Sequence, residues 1–168
     1  MLYAVRFDRE RVSTVGVPVP VVEGVRRAAS VVTAAAHYAV SQTGTLIFAP
    51  GPVTSGSNVL KLTLFGRDGS SSPLDLPAGP YTEPRFSPDG NAIVYTTVDA
   101  NESNLWVYDV GHKNAPRRVT FGGQNRFPVW SPDSTRLVFQ SNRDGDAGLF
   151  VTRADGAGPP ERLTRPEK

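Results

Sequence analysis

Residues 84–96 limit what this chain can fold into more than any other stretch. They read Pro-Arg-Phe-Ser-Pro-Asp-Gly-Asn-Ala-Ile-Val-Tyr-Thr. Pro88 presets a turn φ, Asp89 can bond its own backbone, and Gly90 accepts positive φ. Phe86 before the turn and Ile93 and Tyr95 after it are apolar and β-prone. The stretch therefore predicts a strand, a tight turn and a second strand. It returns at residues 128–140 as Pro-Val-Trp-Ser-Pro-Asp-Ser-Thr-Arg-Leu-Val-Phe-Gln. An altered copy, Tyr38 to Phe48, comes first, with Gln42-Thr43 in place of Pro-Asp. The turn serines Ser41, Ser87 and Ser131 are spaced 46 and 44 residues apart.

The register also holds outside the turns. Leu62, Leu105 and Leu149 open equivalent strands, 43 and 44 residues apart, and Val119 and Leu163 are 44 apart. Four strands per unit at this period is the signature of a propeller blade. The 15 prolines and 16 glycines suit short strands joined by turns. The predicted fold class is all-β: a single partial β-propeller of about three and a half four-stranded antiparallel blades. Its parts are a half blade at 1–23 and blades at 36–76, 81–120 and 126–164. Val17 to Val22 carries two prolines and reads as an edge. Residues 24–36 and 50–57 read as loops, and Pro73–Leu76, Pro116–Thr120 and Pro160–Thr164 as outer strands. Phe86 and Trp130 are expected at equivalent buried sites between blades. A sandwich of unrelated strands is the competing arrangement, and the repeated turn disfavours it.

Phe86-Ser-Pro-Asp-Gly90 and Trp130-Ser-Pro-Asp133, each followed by Leu-Trp-Val-Tyr or Leu-Phe-Val-Thr, resemble TolB-type (WD-like) bacterial propeller repeats. The outer Arg-Arg-Val-Thr and Glu-Arg-Leu-Thr segments match the same family, so the resemblance covers roughly 36–165. The start, Leu2-Tyr-Ala-Val with Val17-Pro-Val-Pro-Val, resembles the C-terminal propeller of bacterial receptor-type serine/threonine kinases. The resemblance implies a scaffold for protein contacts and a parent protein of bacterial, extracytoplasmic (periplasmic) origin. Complete propellers close with about 4–8 blades. Three and a half leave two apolar faces uncovered, so the chain is expected to be part of a longer propeller or to be completed by a second copy. A homo-oligomer is expected, with a dimer as the simplest form.

Several function classes are excluded by composition. With 18 basic and 16 acidic residues the net charge is +2, which predicts no nucleic-acid partner. No stretch approaches the ~20 apolar residues of a membrane span, so no membrane insertion is expected. Met1 to Asp8 alternates like a strand rather than a secretion leader. There is no cysteine, hence no thiolate chemistry. A G-x-S-x-G elbow, a phosphate loop and a dinucleotide fingerprint are all absent.

Ligand candidates come from the propeller geometry. Aligned on the turn serines, His37, Glu83 and Phe127 are equivalent, and so are Ala36, Thr82 and Arg126. The strand before the turn should be innermost, which places His37, Glu83 and Arg126 near a central channel. Two copies of His37 and Glu83 would supply four ligands for a divalent metal such as zinc. That alternative is a metal-dependent hydrolase of lactones, esters or phosphotriesters. The loop Asn142 to Asp146 has the oxygen ligands of a calcium loop but not its closing glutamate, and is expected to turn the chain. Arg26-Arg27 and Arg117-Arg118 read as solvated faces. His112 is the only other histidine.

Overall fold

The computed structural model describes residues 1–25, 36–50, 60–99, 101–111 and 114–165. The strands are β1 (Leu2–Asp8), β2 (Ser13–Val22), β3 (Tyr38–Val40), β4 (Leu46–Phe48), β5 (Thr63–Phe65), β6 (Ser71–Pro73), β7 (Tyr81–Phe86), β8 (Ala92–Val98), β9 (Ser103–Asp109), β10 (Arg117–Arg118), β11 (Asn125–Trp130), β12 (Arg136–Ser141), β13 (Gly148–Arg153) and β14 (Glu161–Arg162). They form one two-stranded sheet, β1-β2, and three four-stranded sheets in sequential order, β3 to β6, β7 to β10 and β11 to β14. Every ladder between these strands is antiparallel. The chain is an all-β partial propeller: a hairpin followed by three blades. Most of the loop readings at 24–36 and 50–57, and also Arg26, Arg27 and His112, lie outside the described residues.

Each blade is pinned at its serine turn. The Ser87 amide donates to the Ala92 carbonyl at 2.8 Å, and the Gly90 amide to the Ser87 carbonyl at 2.9 Å. The third blade repeats this, with Ser131 bonded to Arg136 at 2.9 Å and Ser134 to Ser131 at 3.0 Å. The first blade closes the same turn with one residue fewer, Ser41 to Thr45 at 2.8 Å. Gly90 has φ 76°, and Ser134 at the equivalent place has φ 61°.

Blades pack face to face, and the core lies between them. One cluster joins Ile47, Leu62, Leu74 and Leu76 of the first blade to Tyr81, Ile93, Tyr95 and Tyr108 of the second. The next joins Val94, Leu105, Val107 and Val119 of the second blade to Leu137, Phe139 and Phe150 of the third. A third cluster sets Leu2, Val22 and Val25 against Leu46, Phe48 and Phe65 of the first blade. Leu2 pairs with Val22. Likewise Leu62, Leu105 and Leu149 each accept an amide from the outer segment, from Leu74, Val119 and Leu163 at 2.9, 2.9 and 2.8 Å. Through Leu2 and Val22 the β1–β2 hairpin packs on the first blade.

Two expectations need correction. The outer strand of the first blade is Ser71–Pro73, not Pro73–Leu76. Leu74 and Leu76, each 8% exposed, turn into the core between blades instead. Phe86 and Trp130 do pack against the two successive clusters, at equivalent places, but each is only partly buried. Both sit one residue before the turn, where the packed layer gives way to solvent.

Candidate functional site

The innermost strands β3, β7 and β11 lie side by side, with β7 in contact with both neighbours. They form an inner wall whose two ends differ.

At the strand-start end, β7 and β11 each carry a register shift, between Thr82 and Arg85 and between Arg126 and Val129. Within the shifts, Glu83 and Phe127 take φ 54° and 56°, an uncommon state for residues other than glycine. The bulge aims Glu83 at the next blade. Its Oε2 accepts the Phe127 amide at 2.8 Å and the Thr96 hydroxyl at 3.1 Å. Glu83 is therefore a strap between the second and third blades. His37 precedes β3, is half-buried, and its carbonyl accepts the Ala49 amide at 3.0 Å. Arg126 is exposed, and its Nη2 donates to Gln124 Oε1 at 3.0 Å. Among the described residues, no group of three or more His, Cys, Asp or Glu is placed to hold a metal ion. The expected pairing of His37 with Glu83 at a metal calls for a second chain. In the Asn142–Asp146 loop a cation is already supplied from within. Arg162 donates from Nη1 and Nη2 to Asp146 at 2.8 and 2.6 Å, and from Nη1 to Asp144 at 3.4 Å.

At the turn end, three blades converge on a cleft of about 260 Å³ bounded by Val40, Arg85, Pro88, Val129 and Trp130. Backbone and side-chain bonds fix its walls. Arg85 Nη1 donates to the Tyr38 carbonyl at 3.2 Å, and Trp130 Nε1 donates to the Arg85 carbonyl at 3.2 Å. The Asp89 amide donates to Ser134 Oγ at 3.2 Å, tying one turn to the next. The turn carboxylates are held by their own serines. The Ser131 hydroxyl, 2.6 Å away, and then Thr135 hold the Asp133 carboxyl down to about 2. The Ser87 hydroxyl, then the Asn91 amide, lowers Asp89 in the same way. Arg85 and Trp130 were not singled out as site residues by sequence. The signal was present: Arg85 stands where the other copies carry Ala39 and Val129.

The TolB beta propeller domain family matches residues 54–167. A "Protein TolB homolog" of Chlorobaculum tepidum is 36% identical over 110 residues, covering 66% of this chain and 22% of that protein. The "Uncharacterized peptidase YuxL" of Bacillus subtilis is 29% identical over 89 residues, covering 49% of this chain and 14% of that protein. The chain thus spans under a quarter of the length of these curated relatives. The crystal structure of TolB from Acinetobacter baumannii superposes with a TM-score of 0.66 at 18% identity, covering 94% of this chain and 36% of that one. That likeness shows a shared fold. With the family match over most of its length and the repeated blades, the chain belongs to the TolB β-propeller domain family.

Proposed function

We propose that the chain is a protein-binding scaffold that grips its partner at the turn-end cleft. The observation that supports this reading most is the make-up of the cleft. Exposed Val40, Arg85 and Val129 and half-buried Trp130 come from three successive blades on a hydrogen-bonded frame. Arginine and tryptophan are the side chains most enriched among residues that dominate protein interfaces. Arg85 commits one donor to Tyr38, and its guanidinium carries five. The remaining donors suit a carboxylate, and the flanking valines and indole suit an apolar neighbour. The partner chemistry is thus an extended segment with an aspartate or glutamate beside an apolar residue.

The test places a photo-crosslinking amino acid at Val40 and, as a control, at Glu161 on the outer edge. Protein captured only through position 40 is purified and titrated against wild type and Arg85→Glu. The reading expects Arg85→Glu to weaken binding at least ~10-fold, or ~1.4 kcal/mol. Arg85→Lys, which keeps the charge but loses the fork, should fall between. Unchanged affinity in a folded Arg85→Glu variant overturns the cleft as the binding site.

A further inference from the structure

The second and third blades carry the same set of side-chain places near their outer edges, 44 residues apart, and fill them differently. Trp106 stands where Phe150 does and Arg118 where Arg162 does, each arginine paired with its ring residue across the outer ladder. Glu102 and Asp146, and Asn104 and Gly148, complete the set. In the third blade the place is closed. The Arg162 guanidinium lies 5.5 Å from the Phe150 ring centroid and donates two bonds to Asp146, at 2.8 and 2.6 Å. Gly148 makes room for it: an added Cβ there would stand 2.9 Å from Arg162 Cζ. In the second blade the buried Asn104 fills that room with its own side chain. Arg118 is turned away instead, over the Phe121 ring at 4.6 Å, and reaches Glu102 only at 3.4 Å. Its side chain is 31% exposed, against 13% for Arg162. What opens beside it is a cavity of about 340 Å³, at the lower end of the ~300–1,000 Å³ of small-ligand sites.

We propose that this cavity binds a neutral carbohydrate, a mono- or disaccharide unit. Its lining is polar, with Asp99, Asn101, Glu102, Asn104 and Arg118, except for the half-buried indole of Trp106. Trp106 Nε1 donates to Thr97 Oγ1 at 3.0 Å, which helps to hold the ring in place. Asn104 Nδ2 and Arg118 Nη2 both donate to Glu102 Oε2, at 3.3 and 3.4 Å. Arg118 Nη1 and Glu102 Oε1 have no partner among the described residues, so a donor and an acceptor lie side by side. A sugar hydroxyl both donates and accepts, and neighbouring hydroxyls meet such a pair together while the C–H face of the ring packs on the indole. Charged ligands fit less well: Glu102 and Asp99 oppose an anion, and Arg118 opposes a cation. The first blade has Thr63 and Pro73 at the ring and arginine places, so it offers no such site. Thr97 pairs with Tyr81 at the strand-start end, which sets the cavity at the opposite end from the cleft of Arg85.

Saturation-transfer NMR on the chain tests this with maltose, cellobiose, lactose and N,N′-diacetylchitobiose, and with choline and inorganic phosphate as charged comparisons. Transfer to at least one disaccharide, strongest at the protons of one ring face, is the expected result. Asn104→Gly should let Arg118 settle over Trp106 as Arg162 settles over Phe150, and weaken that sugar at least ~10-fold with an unchanged circular dichroism spectrum. Glu102→Ala, at a side chain 48% exposed, removes the acceptor without opening the core and should weaken it to a similar degree. Arg85→Glu, in the turn-end cleft, should leave sugar binding unchanged. No transfer to any of the disaccharides overturns the proposal. So does a sugar bound equally well by wild type and by folded Glu102→Ala or Asn104→Gly, and so does binding of choline or phosphate in preference to every sugar.

Discussion

Leu105 and Leu149 are the same residue type at the same place in successive blades, and they differ in one respect: the third blade covers Leu105. Truncating each to alanine isolates the worth of that cover. At Leu105, 0% exposed, the lost transfer energy adds to a cavity walled by Val94, Leu137, Phe139 and Phe150. Closed sites of this kind cost ~2.7–5.0 kcal/mol for Leu→Ala. At Leu149, 45% exposed, about half of the ~1.5–3 kcal/mol of a fully buried leucine is at stake, and water enters without leaving a void. The expected loss is therefore roughly 0.8–1.5 kcal/mol. Urea unfolding followed by the fluorescence of Trp106 and Trp130 measures both, at concentrations dilute enough to keep the chain single. Equal losses at the two positions would refute the idea that blade-to-blade cover, rather than the blade itself, supplies the stability.

Other outcomes follow from the same geometry. Glu83→Ala strands the Phe127 amide and the Thr96 hydroxyl and should cost ~1–3 kcal/mol, while Glu83→Gln, which keeps an acceptor oxygen, should cost less; equal losses in urea would remove the strap. The Asp133 carboxyl is held at about 2, below the ordinary 3.8, by the Ser131 hydroxyl first. A depressed folded-state value means that its contribution is complete above the unfolded value and disappears as pH falls from 3.8 toward 2. Acid titration of stability should flatten over that window in Asp133→Asn, and an unchanged slope would contradict the turn network. Gly90→Val should cost ~1–3 kcal/mol through φ 76° alone, since nothing lies within 4 Å of an added Cβ. Gly90→Asn should be milder, because Ser134 adopts φ 61° at the equivalent place in the third blade's turn; equal thermal shifts for the two variants would contradict this.

The blades were legible because turn chemistry and strand periodicity are local. Ser87-Pro88-Asp89-Gly90 sets its own hydrogen bonds, and Leu62, Leu105 and Leu149 keep one register because every blade repeats the same pairing. The outer strand of the first blade was misplaced because Pro73 to Leu76 alternates like a strand, whereas Leu74 and Leu76 are drawn into the next blade's core. The partial burial of Trp130 was hidden for a related reason: composition shows its apolar size but not its place at the rim of the packed layer. Glu83 was found by alignment, but its role was not. Its partner amide lies 44 residues away, and a positive φ at a glutamate has no sequence signal. The cleft was missed because Arg85, Val40 and Trp130 meet only after three blades stack.

Amide hydrogen exchange along the chain tests most directly that stacking between blades holds this molecule together. The second blade is covered on both sides, so β8 and β9 should exchange slowest at every concentration. β1, β2 and β13, whose outward side chains are exposed, should exchange faster than β8 and β9. Protection of β1 and β13 equal to that of β8 and β9 would contradict the account.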